Sequence, residues 1–369
     1  MKKVMVCFGT RPEIIKLAPV IKELNQNKKI KVVSCSTAQH VEMLEPLLKM
    51  FAIIPDYNLG VMTAGQSLSE ISEKIFARLP NVLEKEKPDL VVVQGDTTSA
   101  CCVAQVAFQA QMKVAHVEAG LRTHAKYFPY PEEINRKIIG QVADIHFAPT
   151  ELARKNLLFE GINQEAIFVT GNTIVDALIE LRPKLKSLNS VFLNKLKDRF
   201  ILVTVHRREN HGIPLENICR TIRQIITKHK TTQIVFPVHL NPQVQVTVEK
   251  ILNNIDNILL LPPLPYGEML FLLERCQFVL TDSGGLQEEA PSFGKPVLVL
   301  RTVTERPEGV EMGIAKLVGD NPAVIEREAS KLLKDDIYYH SMVSKINPYG
   351  DGKAAKRIAK IISKFFTSN

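Results

Sequence analysis

Residues 279–300 read VLTDSGGLQEEAPSFGKPVLVL, a pattern that predicts a buried strand, a tight turn, a helix and a second strand. The glycine turn is Ser283-Gly284-Gly285, and the predicted helix follows it over residues 286–291. A helix N-terminus offers unpaired N–H groups and partial positive charge, and glycines let a phosphate approach that backbone closely. Glu288 and Glu289 follow one turn later, where they could accept hydrogen bonds from a ribose. A tight strand-to-helix turn without a ligand would give the same pattern.

The beginning of the chain predicts a second junction of this type. A strand over residues 3–8 leads through Gly9 to Thr10, the expected N-cap of a helix that starts at Arg11. Apolar residues at helical spacing would form the buried face of this helix, and Lys16 does not belong to them. Two cations at the carboxyl end of a strand, Arg11 and Lys16, would suit a diphosphate, although either one alone is also typical of a solvated helix edge.

Short β-branched runs alternate with helical patterns along the whole chain, which is typical of parallel sheets covered by helices. We predict a first domain over residues 1–172 and a second over 173–352. The boundary should fall in a basic, helical stretch between 172 and 198. Residues 353–369 contain a final helix, which we expect to pack back on the first domain.

Composition and charge restrict the class of protein. The 369 residues are 45% hydrophobic and carry a formal charge of +8, but no arginine-rich run indicates nucleic-acid binding. A basic balance of this kind suits an anionic small substrate. The six cysteines lack CxxC spacing, which favours reduced thiols in a cytoplasmic protein. No signal peptide opens the chain, and no apolar run reaches the roughly 18 residues of a membrane span.

Ionisable side chains stand where the predicted strands end. Asp96, Glu118, His206 and His239 each follow a strand, and Glu132 stands in a loop that enters a helix. Ligands of doubly wound sheets bind beyond the carboxyl ends of the strands. Carboxylates that share one site raise each other's pKa, which prepares one of them for proton transfer. Taken singly, each of these residues could equally be a cap or a structural group.

At these motifs the chain resembles the non-hydrolysing UDP-N-acetylglucosamine 2-epimerases over essentially its whole length. No single motif is very specific, but their order along the chain is. Besides the glycine turn after Ser283, the motifs are FGTRPE (8–13), TAQH (37–40), QGDT (94–97), HVEAGLRT (116–123), PEEINR (131–136), GNT (171–173), VHRREN (205–210), PVHLNP (237–242) and TERPE (304–308).

The resemblance implies two Rossmann-like, doubly wound parallel-sheet domains, as in glycosyltransferases of the B type, with the active site in the interdomain cleft. It implies interconversion of UDP-GlcNAc and UDP-ManNAc by anti elimination of UDP and its re-addition to a 2-acetamidoglucal. The product would supply ManNAc-type precursors for cell-surface polysaccharide. The resemblance further implies a cytoplasmic homodimer that requires neither NAD nor a metal ion.

The resemblance also assigns roles to individual positions. The matching catalytic residues are Asp96, Glu118, Glu132, His206 and Lys16. The matching UDP-binding residues are Arg11, His206, Ser283, Gly284, Gly285, Glu289 and Arg306. Many bacterial members bind a second, activating UDP-GlcNAc, and the positions carried over for it are Gln39, Gln66, Glu133, Arg207 and His239. Val41 and Met43 depart from the family's pattern beside that second site.

Four other functions remain to be distinguished. An epimerase of a modified UDP-amino sugar would share these motifs, because contacts to carbons 4 and 6 leave no readable signature. A hydrolysing 2-epimerase would release free ManNAc, although the GTRPE opening argues against it. A retaining glycosyltransferase would leave the three acids unexplained, and a sensor without activity should have lost them.

Overall fold

The computed structural model describes residues 1–39, 41–63, 65–187, 190, 192–343 and 346–367. The chain forms two compact units, each with its own parallel sheet. The first unit comprises Met1–Ile179 and Tyr349–Asn369, and the second comprises Glu180–Pro348. These bounds differ from the sequence-based boundaries at 172 and 352. Two parallel sheets with connecting helices confirm the predicted α/β class.

The first unit contains a seven-stranded sheet in the order β3-β2-β1-β4-β5-β6-β7. Its central strands are buried on both faces, which explains their continuous apolar sequences. The strands are β1 (Lys2–Phe8), β2 (Ile30–Ser36), β3 (Tyr57–Asn58), β4 (Leu90–Gln94), β5 (Lys113–Val117), β6 (Ile145–Ala148) and β7 (Ile167–Val169). The helices are α1 (Arg11–Asn25), α2 (Val41–Phe51), α3 (Leu68–Glu86), α4 (Thr98–Gln109), α5 (Glu132–Val142), α6 (Glu151–Phe159) and α7 (Thr173–Leu181).

The second unit contains a six-stranded sheet in the order β10-β9-β8-β11-β12-β13. Its strands are β8 (Phe200–Thr204), β9 (Gln233–Pro237), β10 (Ile258–Leu261), β11 (Phe278–Thr281), β12 (Val297–Val299) and β13 (Ala315–Leu317). Its helices are α8 (Ile213–Lys228), α9 (Pro242–Leu252), α10 (Tyr266–Arg275), α11 (Gly284–Glu289), α12 (Pro307–Glu311), α13 (Pro322–Lys334) and α14 (Asp336–Met342). No helix in the described part of the chain is both long and apolar enough to cross a membrane.

The last helix, α15 (Ala354–Phe365), belongs to the first unit. It packs against α1, and Asn27 Nδ2 donates to Ser363 Oγ at 3.1 Å. Its first turn is held by the carboxylate of Asp176, which accepts the N–H groups of Ala354 and Ala355 at 3.2 and 2.9 Å. Residues 368–369 of the predicted segment lie outside the described residues.

The stretch after α7 differs from the helical stretch predicted there. Its described residues form two short 3₁₀ helices, Arg182–Ser187 and Leu193–Lys195. Pro183 cannot donate the N–H group that an α-helix continuing from α7 would need at this point. This basic stretch has a helix-like composition but therefore does not form an α-helix.

Each sheet has one point at which the strand order reverses. In the first unit this point lies between β1 and β4, and in the second between β8 and β11. Ligands of open parallel sheets bind outside the carboxyl ends of the strands at such points. The turns that follow these four strands are therefore where a binding site is expected.

Candidate active site

In the first unit, the buried carboxylate of Glu13 joins the turns that follow β1 and β4. Its Oε2 accepts the backbone N–H groups of Gly9 and Thr10 at 2.9 and 2.7 Å, and its Oε1 accepts the Thr97 hydroxyl at 2.8 Å. Burial raises the pKa of Glu13, and these hydrogen bonds offset that rise only in part. The sequence analysis did not assign Glu13 to the site. A carboxylate three residues after a predicted N-cap was the signal that could have found it.

A cavity of about 320 Å³ lies beside this turn. Its lining brings together three predicted catalytic or UDP-binding residues, Arg11, Asp96 and Glu132. Gln39, predicted for the second ligand, lines the same cavity and accepts a hydrogen bond from Ser99 Oγ at 2.7 Å. The structure therefore gathers residues that are distant in sequence around one space within the first unit.

Arg136 on α5 holds the carboxylate of Asp96. It donates from Nε and Nη2 to Asp96 Oδ2 at 3.1 and 2.6 Å, while Asn135 donates to the Asp96 carbonyl oxygen at 2.8 Å. The Asp96 side chain keeps 26% of its surface exposed, so it remains accessible to a ligand in the cavity. Sequence reasoning quoted Arg136 only as part of a motif and did not assign it this contact.

Lys16 and Glu118 form an ion pair that is almost withdrawn from solvent. Lys16 Nζ donates to Glu118 Oε2, and the two side chains are 8% and 7% exposed. Lys16 comes from α1 and Glu118 follows β5, where it adopts a left-handed backbone conformation with φ of 66°. The structure thus brings together two residues that the sequence analysis placed near the reacting carbon.

Glu133 is fully buried, unlike its neighbour Glu132. Its carboxylate accepts the N–H groups of Thr123 and His124 at 3.1 and 3.0 Å and the Arg136 guanidinium at 2.9 Å. These contacts connect the loop after β5 to α5. They give Glu133 a structural role, and its predicted contact with a second ligand stays a prediction.

Two buried histidines lie under the site in neighbouring strands. His116 on β5 pairs in register with His146 on β6, and both are almost fully buried. Burial lowers the pKa of His116 to about 3 and that of His146 to about 4. His116 Nε2 lies 2.7 Å from the carbonyl oxygen of Gly95, so this nitrogen carries the proton and donates it. Both rings are therefore neutral at physiological pH.

In the second unit, the buried carboxylate of Asp282 joins the turns after β8 and β11. It accepts the N–H groups of His206 and Arg207 at 3.0 and 2.9 Å, and the Asn210 amide at 2.9 Å. His206 Nδ1 lies 2.9 Å from its Oδ1. Burial raises the pKa of Asp282, but the hydrogen bond and charge of His206 outweigh burial and hold it below its usual value. The sequence analysis quoted Asp282 at a strand end and assigned it no role.

The helix α11 begins at Gly284, two residues before the predicted start at Leu286, and Ser283 is its N-cap. Ser283 Oγ accepts the N–H group of Leu286 at 3.5 Å, a long capping contact. The two glycines that follow have different surroundings. A Cβ atom on Gly284 would come within 2.5 Å of Arg306 Nη1, whereas on Gly285 it would meet nothing closer than Ser283 Oγ at 3.8 Å. Gly284 is therefore required by the packing of Arg306, and only Gly285 leaves open space for a ligand.

Arg306 lies within a network of buried charges. It donates to Glu288 at 2.7 Å and to Glu305 at 2.5 Å, and Arg301 also donates to Glu305 at 2.7 Å. Burial raises the pKa of Glu305, but the neighbouring arginines outweigh it and hold that pKa far below its usual value. Glu288 is buried and paired with Arg306, and its suggested contact with a ribose stays a prediction. Glu289 is also buried, and Tyr266 donates to it at 3.0 Å.

The other residues predicted for a second ligand lie in both units. Gln66 precedes α3 and accepts hydrogen bonds from Thr63 N and Lys74 Nζ. Arg207 lies 3.8 Å from Glu305, and the His239 ring lies 5.9 Å from the His206 ring. His40 and the side chains of Val41 and Met43 lie outside the described residues. Among the described residues, no three His, Cys, Asp or Glu side chains are grouped as a metal site would require.

Comparison with known proteins agrees with this arrangement. A family model described as UDP-N-acetylglucosamine 2-epimerase matches residues 22–363. The UDP-N-acetylglucosamine 2-epimerases of Campylobacter jejuni and Escherichia coli K12 are 47% and 46% identical to the chain. The first match covers 99% of this chain and 98% of the relative, and the second covers 98% of each. The crystal structure of the Neisseria meningitidis UDP-GlcNAc 2-epimerase, bound to UDP-GlcNAc, is 44% identical with a TM-score of 0.93, and the match covers 98% of this chain and 100% of that one.

A more distant solved structure bears on the fold alone. The glycotransferase of kitacinnamycin shares 11% identity and a TM-score of 0.63 over 98% of both chains. The close relatives, by contrast, match the chain over nearly its full length at identities that establish common ancestry, which confirms the resemblance found in the sequence. The chain therefore belongs to the UDP-N-acetylglucosamine 2-epimerase family.

Proposed function

We propose that this protein is a non-hydrolysing epimerase that interconverts UDP-GlcNAc and UDP-ManNAc. The observation that carries the proposal is the gathering of Arg11, Asp96 and Glu132 around one cavity. The buried Lys16–Glu118 pair of the same unit adds a third carboxylate and a second cation. Relatives named UDP-N-acetylglucosamine 2-epimerase support UDP-GlcNAc as the substrate.

The proposed reaction begins with removal of the weakly acidic proton on carbon 2. The carbon 1–oxygen bond then breaks, its electron pair leaves with UDP, and a double bond forms between carbons 1 and 2. UDP adds back to this 2-acetamidoglucal, and a proton returns to the opposite face of carbon 2. Asp96, Glu118 and Glu132 are the carboxylates proposed for these proton transfers, because general acid–base catalysis requires a group beside the reacting proton.

The departing diphosphate needs positive charge and hydrogen-bond donors. We propose that Arg11, Arg306 and His206 supply the charge, with Lys16 near the reacting centre. Ser283 and the open backbone at Gly285 would bind phosphate oxygens, Gly284 would leave room for Arg306, and Glu289 would accept the ribose hydroxyls. That residues of both units act on one substrate stays a prediction.

Deuterium incorporation tests this mechanism directly. The purified protein is incubated with UDP-GlcNAc in deuterated water without added NAD or metal, and the sugar is followed by NMR. Elimination and re-addition should place deuterium at carbon 2 of both UDP-sugars. Retention of the original hydrogen in the epimerised product would exclude the elimination and indicate hydride transfer.

The same spectra distinguish the two alternative functions. A hydrolysing 2-epimerase would accumulate free ManNAc and UDP instead of an equilibrium mixture of UDP-sugars. An epimerase of a modified amino sugar would exchange UDP-GlcNAc slowly and a 4- or 6-modified analogue quickly. The chemistry at carbon 2 would be the same for an epimerase of UDP-GlcNAc and for an epimerase of a modified UDP-amino sugar.

We further propose that a second UDP-GlcNAc activates the reaction from a site that involves Gln39, Gln66, Arg207 and His239. Gln39 lines the cavity of the catalytic acids, and His239 lies beside His206, so such a site would be adjacent to the catalytic groups. Glu133, which also holds the loop at Thr123, is the fifth position proposed for this site. A ligand of this kind acts only through contacts that it makes better in the active state.

The reverse reaction tests this activation. With purified UDP-ManNAc alone, the reaction should lag until a trace of UDP-GlcNAc is added. A full initial rate with a hyperbolic dependence on UDP-ManNAc would contradict the proposal. It would agree instead with the departures from the family's pattern at Val41 and Met43.

We also propose that the protein is a cytoplasmic homodimer whose product supplies ManNAc-type precursors for cell-surface polysaccharide. Sedimentation equilibrium tests the dimer, because a monomer would sediment at the chain mass of 41.4 kDa. Analysis of surface polysaccharide in cells that lack the protein tests the second part. Unchanged ManNAc content would contradict it.

A further inference from the structure

We infer that Asp282 is the positioning residue that fixes the tautomer and direction of the His206 ring. The inference rests on the proposed function only for its kinetic part, since the tautomer of His206 can be observed without any turnover. Asp282 itself lies beneath the site and has no exposed side-chain surface. It would act through His206, which is 36% exposed.

The charge state of Asp282 determines which ring nitrogen of His206 carries the proton. The pKa of Asp282 is held below its usual value, so at neutral pH this carboxylate accepts hydrogen bonds and cannot donate one. His206 Nδ1 lies 2.9 Å from Asp282 Oδ1 and must therefore carry the proton. Nε2 is then the ring atom that remains for a ligand.

The backbone contacts fix the direction of the ring. Asp282 also accepts the N–H groups of His206 and Arg207, and the amide of Asn210. Four donors thus meet on one buried carboxylate, so neither the carboxylate nor the turn after β8 can rotate independently. The His206 ring is hydrogen-bonded to this fixed carboxylate through Nδ1. The opposite edge of the ring, which carries Nε2, faces away from the carboxylate.

The charged groups around His206 come from three strand ends. Asp282 approaches from the end of β11, and His239 approaches from the end of β9 with 5.9 Å between the ring centroids. Burial and repulsion by His206 lower the pKa of His239. Arg207 is adjacent in the chain and lies 3.8 Å from Glu305, which offsets its charge. Asp282 is therefore the anion in direct contact with the ring.

Nitrogen-15 NMR of the wild-type protein labelled at histidine provides the first test. The His206 signal, identified by its loss in His206→Gln, should show a protonated Nδ1. In Asp282→Asn the amide can donate to Nδ1, so a neutral ring should move its proton to Nε2. A wild-type ring protonated only at Nε2 would overturn the inference even if no variant could be purified.

A double-mutant cycle provides the second test. Asp282→Asn should lower kcat by about a hundredfold, the lower end of the range for acid–base groups, and change UDP affinity less. If Asp282 acts through His206, the same substitution should change kcat little in a His206→Gln background. Equal fold losses in both backgrounds would show a merely structural role and overturn the inference.

Thr204→Val is the matched structural control. It removes a hydroxyl pair between β8 and β11, in which Thr204 Oγ1 lies 2.6 Å from Thr281 Oγ1, and leaves the side-chain contacts of Asp282 in place. The Asp282 N–H still donates to the Thr204 carbonyl oxygen at 3.3 Å. It should leave the His206 tautomer unchanged. A tautomer change in this control would show that any disturbance of these strand ends moves the proton. Absence of all epimerase activity in the wild-type protein would refute the proposed function and leave the tautomer test intact.

Discussion

The two units solve the same structural problem with buried acids whose pKa values are shifted in opposite directions. In the first, Glu13 reaches from α1 to the turn after β1 and across to Thr97 after β4. In the second, Asp282 stands after β11 and reaches back to the N–H groups after β8. Burial raises the pKa of Glu13, whereas His206 outweighs burial and lowers that of Asp282.

The difference follows from the partners of each acid. Glu13 accepts only neutral donors in its three contacts, namely two N–H groups and a hydroxyl, so little compensates for burying its charge. Asp282 has a histidine in contact, and Arg306 and Arg301 lie in the same unit around Glu305. A strand junction can therefore be fixed by a buried acid whose pKa is raised or lowered, but only Asp282 also holds a histidine ring.

The largest expected effect concerns the carboxylates of the first unit. Asp96→Asn, Glu118→Gln and Glu132→Gln should each lower turnover by about a hundredfold or more, the scale of a lost acid–base group. UDP affinity should change little, because the diphosphate groups are assigned mainly to the second unit. Steady-state kinetics and calorimetric titration with UDP measure the two quantities. Near-normal rates in all three variants would contradict the proposed division between the units. Losses of UDP affinity as large as the losses of turnover would contradict it too.

The two glycines of α11 provide a sharper test within the second unit. Gly284→Ala should lower stability by about 1–3 kcal/mol, because its Cβ would collide with Arg306 as in an overpacked core. Gly285→Ala should leave the melting temperature unchanged and weaken UDP binding by about tenfold, or about 1.4 kcal/mol. Circular dichroism and UDP titration of both variants measure this contrast. Unaltered UDP affinity in Gly285→Ala would show that no phosphate lies there.

The buried histidines should make the first unit sensitive to acid. The pKa of each, about 3 for His116 and about 4 for His146, lies below the ordinary 6.5, so their contribution to stability is complete above pH 6.5 and is lost as pH falls toward those values. Between pH 6.5 and 5 each should cost about 1–2 kcal/mol. Hydrogen exchange of amides in β5 and β6 measures the loss, and His116→Gln should reduce it. An exposed His340→Gln control should not.

The smallest expected effect concerns Glu13 and Asp282, the buried acids that join the strand ends of each unit. Because the pKa of Glu13 is raised above 4.5, ionising it costs stability as pH rises through that value, and Glu13→Gln removes this cost. The free energy of unfolding of Glu13→Gln should therefore rise relative to that of the wild type between pH 4 and 7, by about 1 kcal/mol or less. Asp282→Asn should show the opposite trend at lower pH, because the lowered pKa of Asp282 gives the wild type stability that is present above the ordinary value of 3.8 and is lost as pH falls below it. Urea unfolding of both at several pH values decides this, and parallel trends would contradict the contrast.

The sequence predicted the sheets and the strand ends because buried parallel strands are continuous β-branched runs bounded by glycine and proline. The structure places Asp96, Glu118, His206 and His239 after β4, β5, β8 and β9, as expected. The sequence could not predict which side chains contact each other within the site. Lys16 and Glu118 are 102 positions apart, and no spacing indicates which carboxylate meets which cation. For the same reason Asp282 and Glu13 were assigned no role from the sequence.

The meaning of Gly284 could not be read from the sequence either. A glycine pair before a helix looks the same whether a ligand or a side chain occupies the space beside it. Here the guanidinium of Arg306, from a distant segment, occupies one of the two positions. Helical composition between 181 and 199 was similarly uninformative, since Pro183 prevents α7 from continuing.

The position of α15 determines the order in which this protein can fold on the ribosome. The first unit is interrupted at Ile179 and resumes only at Tyr349, so the whole second unit is synthesised in between. At about 5–20 residues per second this delay is on the order of ten seconds. Throughout it the apolar side chains that α15 buries, Ile358 and Ile362, are not yet available to cover α1. We therefore expect chaperones to bind the nascent first unit during translation. Its last folding step, the packing of α15 against α1, should follow synthesis of the second unit.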